Sequence, residues 1–543
     1  MRDVADKSEA VAGAGHLGAE CGEPLVGDDT GLEVANVVGR IVHELNVPDA
    51  ALMRLFEPLE LSLQEVEPFH VTVRSIDEPA WLTPFGLLAP GADVPVGRLL
   101  DPKRTPARPR SVWTSAEYVD TLSDNPTRPL WREQANVRGA SAMDFQLTEQ
   151  QRRMVAAVGE LAQGEFKANA QKYMDGTFPW ENMKKLADIG VLGMSVPEEY
   201  GGLGLPVFDT ALVLEEIAKT CYVTAMATLG EAGVQTRVIS TYAPNAIRER
   251  ILPKVVSGDC ILAVCMTEPH AGTDVANYRT NAVIKGDRVV LNGTKTLISR
   301  AREAGMFVIF TRIDGKPGRE GIGCVLLEPD TPGFEVTGTY HTMGGENLHE
   351  IQFDNCELPV ENLVIRDDGF RKLLNAFNTQ RCLNPSISLG LAEGAFEEAR
   401  NYVRDRTVFG KAIGDYQGVR WKLAEMYREI EVARSILYRA CITANPFPDA
   451  LMAAVAKITC NEMSNRVTSE AIQLHGGFGF TDEFAVSRLY RGARYGTLGG
   501  GTSETLRDLI GKRIMDAAET GAELLAYDMM NGAGLAASGI NLT

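Results

Sequence analysis

The chain has 543 residues, 45% of them hydrophobic and 23% charged, the balance of a soluble globular protein long enough for several cores. Its formal net charge of −18 argues against nucleic acid or an anionic membrane as the main partner. Nine scattered cysteines form no C-x-x-C pair and the seven histidines give no H-E-x-x-H, so reduced cytoplasmic thiols are expected and a metal site is not. No apolar run reaches the roughly 18–20 residues of a membrane span, and the first residues lack a basic-then-apolar leader pattern.

Residues 1–142 hold 13 of the 26 prolines and three of the five tryptophans (Trp81, Trp113, Trp131). Proline and glycine from Pro84 to Pro109 break regular structure, while a short helix from about Leu32 to Leu45 and a strand near Phe69 to Ile76 are expected. This extension reads as an appended domain, a disordered arm or translated upstream sequence, and no function is assigned to it. At Met143 the texture changes. Thr148 and Gln151 are spaced as a helix capping box, and Met154, Val155, Val158, Leu161, Ala162 and Phe166 make a helical stripe. Helical patterns continue to about Gly258, broken at Phe178-Pro179 and at Glu199–Leu205. Short strands follow from Ile261 to Ile365, among them Arg288–Gly293 and Met306–Phe310. Helices return from Gly369, with a proline-free run from Ala450 to Leu474. The expected domains are therefore an extension over 1–142, helices over 143–260, a β domain over 261–366, helices over 367–515 and a tail over 516–543. The sandwich is helical–β–helical, not a βαβ repeat.

Two strings carry the most chemistry: Val264-Cys-Met-Thr-Glu-Pro-His-Ala-Gly-Thr-Asp274 and Gln473-Leu-His-Gly-Gly-Phe-Gly-Phe480. The first offers backbone donors and hydroxyls at the end of a strand, and the second lets backbone approach a phosphate where a Cβ would clash. Together, and in this order, they resemble the two flavin-gripping segments of the acyl-CoA dehydrogenase family, over residues 143–515. The resemblance implies a mostly α fold with a barrel-like middle β domain and a C-terminal four-helix bundle. It also implies FAD as cofactor, an acyl-CoA or acyl-carrier thioester as substrate, and a homodimer or homotetramer. An electron-transfer flavoprotein is the expected partner for ordinary dehydrogenation.

By the same resemblance Val264, Met266, Thr267 and Thr273 line the flavin ring, and Thr273 also faces the thioester. Lys295-Thr-Leu-Ile-Ser299 is similar to a K-x-W-I-T strand, with Ser299 in the hydroxyl role, Leu297 in place of the shielding tryptophan, and Arg300 where asparagine is common. Arg406, Phe409 and Gln417 match a segment that contacts the partner subunit's cofactor, where a guanidinium fork suits a pyrophosphate. Gln473, Gly476 and Gly477 would lie against the pyrophosphate and adenosine, and Thr502 and Glu504 open the last helix. Asn378, Arg381 and Gly501 are the expected substrate contacts. Met343-Gly-Gly-Glu-Asn-Leu-His349 departs from the family's M-G-x-R-x-S loop and lacks its arginine, which bears on acceptor or interface geometry.

Desaturating a thioester needs a carboxylate to take the α-proton. In the family that glutamate usually precedes a G-T-S-E run, where this chain has Gly500. Some members carry it just before an arginine on the helix that opens the C-terminal domain, where this chain has Gln380, in Phe377-Asn-Thr-Gln-Arg381. Both positions lack a carboxylate. Three readings stay open. Another carboxylate enters the pocket, with Glu231 the candidate. Or a carboxylate or sulfinate substituent leaves in place of a proton, with Arg237 or Arg381 holding it and the flavin as electron sink or structural element. Or the protein binds flavin and thioester without turnover.

Overall fold

The computed structural model describes residues 146–520. The expected helix at 32–45, the strand at 69–76, the three extension tryptophans and the tail beyond 520 lie outside the described residues. Helix α1, Glu149–Leu161, starts on the capping box: the Gln151 amide donates to Thr148 Oγ1 at 3.1 Å and the Thr148 amide to Gln151 Oε1 at 2.9 Å. Met154, Val158, Ala162 and Phe166, four residues apart, form its buried stripe through a π-turn at Ala162–Phe166.

Helices α2 (Trp180–Asp188), α3 (Val207–Ala218), α4 (Tyr222–Ala232), α5 (Val234–Tyr242) and α6 (Asn245–Val256) complete the first helical layer. Pro179 and the Glu199–Leu205 loop fall between helices, as the breaks predict. Every residue of α4 is buried, so this helix runs through the interior and both its polar and apolar side chains face other protein or the cavity described below.

Eight strands follow: β1 Ile261–Cys265, β2 Asn281–Lys285, β3 Arg288–Ser299, β4 Ala304–Ile313, β5 Ile322–Leu327, β6 Phe334–His341, β7 Asn347–Pro359 and β8 Leu363–Ile365. They form one sheet in the order β6-β7-β3-β2-β4-β5-β8, with β1 added parallel to β4. Strand β4 explains the unbroken apolar run seen in sequence. Phe307 and Ile309 fill the core inside the sheet, while Met306, Val308 and Phe310 pack outward against α5 and α6.

The C-terminal layer is built round α7, Gly369–Asp405, whose 37 residues pack on α3 and on the helices that follow. A hairpin of β9 (Thr407–Val408) and β10 (Lys411–Ala412) leads into α8 (Gln417–Ile442), α9 (Ala450–His475), α10 (Ala485–Ala493) and α11 (Ser503–Thr520). Helix α11 continues past residue 515 to Thr520, the last of the described residues. The arrangement is the expected one, a β domain flanked by two helical layers.

Candidate active site

Strand β1 ends in a tight turn where Glu268 and Ala271 exchange backbone hydrogen bonds at 3.0 Å. Lys295 of β3 reaches under this turn, donating to Met266 O at 2.7 Å and Glu268 Oε1 at 2.8 Å. The Thr296 amide donates to Thr267 O at 2.9 Å, so the turn is pinned to β3 on both sides. Beyond it, β3 slips register between Lys295 and Ile298, and Leu297 and Arg300 adopt φ of 58° and 61°. Two non-glycine residues in the left-handed region within four positions store strain, and Ser299 sits between them.

These segments form one wall of a cavity of about 1790 Å³ between the β domain and α7, larger than the few hundred to 1,000 Å³ typical of single ligands. Val264, Met266, Thr267, Thr273, Leu297 and Ser299 line it together. From α7 come Asn378, Gln380 and Arg381, and from the loop before α11 come Gly500, Gly501 and Thr502. Folding thus gathers the two empty base positions, the substrate contacts and half of the expected flavin contacts into one space.

Gly500 and Gly501 have φ of 69° and 95°, a backbone that suits glycine. A Cβ on Gly500 would stand 3.4 Å from Gln380 Cγ and 3.6 Å from Lys457 Cε, so the two vacant base positions adjoin each other. Arg381 is 6% exposed; its Nη1 donates to Asn378 Oδ1 at 3.0 Å, and Nε is buried without a partner. Burial lowers its pKa to about 10, which still leaves it cationic at neutral pH. Lys457, also sealed from solvent, donates to Gly496 O at 2.8 Å and Gly501 O at 3.0 Å.

Glu231 is a correction. It does not border the cavity; it sits near the end of α4, fully buried, with Oε1 accepting from the Leu262 amide at 3.2 Å and 3.5 Å from Arg300 Nη1. Burial holds it at a pKa of about 7 despite the arginine. Arg237 likewise does not line the cavity. The carboxyl that reaches the buried end is Glu346, which accepts from Tyr222 OH at 3.0 Å and whose pKa burial raises. The signal was present in the Met343–His349 loop, where a carboxylate had replaced the arginine, but only the fold shows that it turns inward.

Arg406, Phe409, Gln417, Gln473, Gly476, Gly477 and Glu504 do not line the cavity. They are exposed, Phe409 at 94%, and a Cβ on Gly476 or Gly477 would meet nothing within 4 Å. Among the described residues no cluster of His, Cys, Asp and Glu is gathered as a metal would require, and no helix is long and apolar enough to cross a membrane. The eight described cysteines are free and buried.

A β domain and helical layers closing on such a cavity define a class of flavoenzyme that handles acyl thioesters. Models of the acyl-CoA dehydrogenase N-terminal, middle and C-terminal domains match residues 148–259, 263–356 and 367–515. The chain belongs to the acyl-CoA dehydrogenase family, with FAD as cofactor and an acyl-CoA as substrate. It is 33% identical to a short-chain-specific acyl-CoA dehydrogenase of Clostridium acetobutylicum, over 68% of this chain and 100% of the relative. It is 34% identical to a 3-sulfinopropanoyl-CoA desulfinase of Cupriavidus necator, over 68% of this chain and 96% of the relative. Among solved structures, butyryl-CoA dehydrogenase from Megasphaera elsdenii superposes with a TM-score of 0.66 at 29% identity, covering 69% of this chain and 100% of that one.

The residues present suit FAD. The side-chain hydroxyls of Thr267, Thr273 and Ser299 border the cavity and make no hydrogen bond to protein among the described residues, leaving donors for ring and phosphate oxygens.

Proposed function

We propose that this enzyme acts on an acyl-CoA bearing an acidic substituent and removes that substituent, with no carboxylate taking the α-proton. The observation behind this reading is the pair Gln380 and Gly500, adjoining positions with no carboxylate, beside the buried cation of Arg381. In such a loss the C–C or C–S bond breaks, the carboxylate leaves as CO2 or the sulfinate as SO2, the electron pair stays on carbon, and a proton from water completes the product. Negative charge then develops next to the thioester. A guanidinium already held in low dielectric stabilises that charge without reorganising. Thr273, Asn378 and Gly501 would position the thioester against it. Bound FAD supplies reversible two-electron acceptance beside the acyl group. The relatives named as 3-sulfinopropanoyl-CoA desulfinases support the reading, since their named reaction removes sulfinate from a short acyl-CoA.

A second reading rests on Glu346. Its carboxyl faces the same cavity, and burial raises its pKa, the direction that makes a carboxylate a stronger base. Under that reading the reaction is ordinary desaturation and an electron-transfer flavoprotein accepts the electrons. One experiment separates them: the FAD-loaded enzyme is mixed anaerobically with a panel of acyl-CoAs while flavin absorbance and products are followed. Product without bleaching and without an added acceptor supports elimination. Bleaching supports desaturation, and neither change with any thioester supports a binding role.

The exposed set Arg406, Phe409, Gln417, Gln473, Gly476 and Gly477 supports a homodimer or homotetramer in which these residues complete the cofactor site of a second subunit. The buried free thiols support a cytoplasmic location.

A further inference from the structure

The buried end of the cavity is polar, and glycines make the room for its polar side chains. Arg300 crosses Gly230 so closely that a Cβ there would fall 1.1 Å from Nη1. The Tyr222 ring occupies notches at Gly344 and Gly492, where a Cβ would stand 2.7 and 2.6 Å away. Tyr495 lies on Gly499, at 2.2 Å by the same measure. Glu346 closes the group, with its carbonyl fixed by the amide and hydroxyl of Thr342 at 3.2 and 2.8 Å. A plain alkyl chain calls for none of this, since buried polar groups cost free energy unless they are partnered.

Donors here outnumber acceptors. The one hydrogen bond the Arg300 side chain donates to protein among the described residues runs from Nη1 to Ala227 O at 3.0 Å, with Glu231 Oε1 3.5 Å from the same nitrogen, and Nε is buried without a partner. The Tyr495 hydroxyl makes none among them. The charged groups lining this end are Arg300 and Glu346, Glu231 contacts Arg300 from outside the cavity lining, and Tyr222 and Tyr495 are neutral. Burial raises the pKa of both carboxyls, which weakens the counter-charge they offer the guanidinium. Met226 and Leu229 supply apolar wall for a short run of methylenes.

We infer that this end of the cavity is a subsite for an acyl group whose far end carries a carboxylate or sulfinate, received by Arg300 and Tyr495 with Glu346 as a hydrogen-bonding partner. The inference rests on the reading that an acyl-CoA fills the cavity, and it assigns Glu346 to the far end of the acyl group instead of the α-proton.

The test titrates the FAD-loaded full chain, by rapid anaerobic mixing, with succinyl-CoA and butyryl-CoA, which differ at the far end by carboxylate against methyl. Dissociation constants are read from the shift of the flavin band. Succinyl-CoA is expected to bind about tenfold more tightly. Arg300→Met should abolish or reverse that preference, Arg300→Lys should keep part of it, and Tyr495→Phe should reduce it several-fold. Butyryl-CoA binding as tightly as succinyl-CoA to the wild type overturns the subsite, as does an unchanged preference in Arg300→Met. Should Arg300→Met fail to retain FAD, Tyr495→Phe decides: a reduced preference supports the subsite and an unchanged one overturns it. A wild-type preference accompanied by flavin bleaching would leave the subsite standing and remove the elimination.

Discussion

Lys295 and Glu268 form an ion pair of 2.8 Å with both side chains sealed from solvent, at 0% and 1% exposure, and the ammonium lies 3.6 Å from the centre of the Tyr278 ring. The carboxylate also accepts the amides of Arg279 at 2.7 Å and Thr280 at 3.1 Å, and the lysine holds Met266 O. The pair therefore ties the turn that carries Met266 and Thr267 to strand β3. Lys295→Met should strand a buried carboxylate and lower stability by about 3 kcal/mol or more. Thermal unfolding and flavin content of the purified variant check this; a variant that melts with the wild type and keeps its FAD would refute it.

Gly230→Ala should push the Arg300 guanidinium out of its slot, leaving Ala227 O without its donor and Glu231 without its cation. The expected cost is about 1–3 kcal/mol, and the melting temperature should fall accordingly. Because the clash is with the far end of a flexible side chain, the fold should survive. A melting temperature equal to the wild type would show that the arginine is not fixed there.

Glu231 gives a pH signature. Its folded pKa of about 7 exceeds the ordinary 4.5, so between those values the folded state binds more protons than the unfolded chain. Its contribution to stability is therefore full below about pH 4.5 and is lost as pH rises through about 7, with a slope of at most about 1.4 kcal/mol per pH unit. Glu231→Gln should flatten the melting temperature over that window while keeping the bond from the Leu262 amide. A wild-type profile with the opposite slope, unaltered by the substitution, would contradict this assignment.

Gly500→Glu tests the vacant base position directly. The left-handed backbone makes any side chain there cost about 1–2 kcal/mol, but the 3.4 and 3.6 Å spacings leave room for one. A carboxylate at that point would lie near Arg381 and Lys457 and next to Gln380. Flavin reduction by butyryl-CoA should rise by about 100-fold, the lower end of general-base effects. Gln380→Glu should give a smaller rise, because Arg381 is its neighbour in sequence but turned toward Asn378. If neither variant bleaches faster, the acyl group is not presented to this face of α7.

Much of the architecture could be read from periodicity. The capping box at Thr148 and Gln151, the stripe at Met154–Phe166, the two-sided burial of Met306–Phe310 and the long helix from Ala450 follow from local pattern, since a helix or strand must bury the face its sequence makes apolar. The motif residues Thr267, Thr273, Ser299, Gln380, Arg381 and Gly500 were legible because the resemblance rests on short runs whose backbone shape is local. Glu231 misled because it is a polar residue in an apolar run, and sequence cannot say toward which side of a fully buried helix such a residue points.

The amino-acid order alone settled the layers, the family and the two positions that lack a carboxylate. What only the folded chain decided is the polarity of the cavity's buried end. Arg300, Glu346, Tyr222 and Tyr495 come from the turn after β3, the β6–β7 loop, α4 and the turn after α10, far apart along the chain. Their meeting depends on glycine notches in neighbouring segments. Close packing between distant elements has no periodic signature, so it becomes visible only once those elements are assembled.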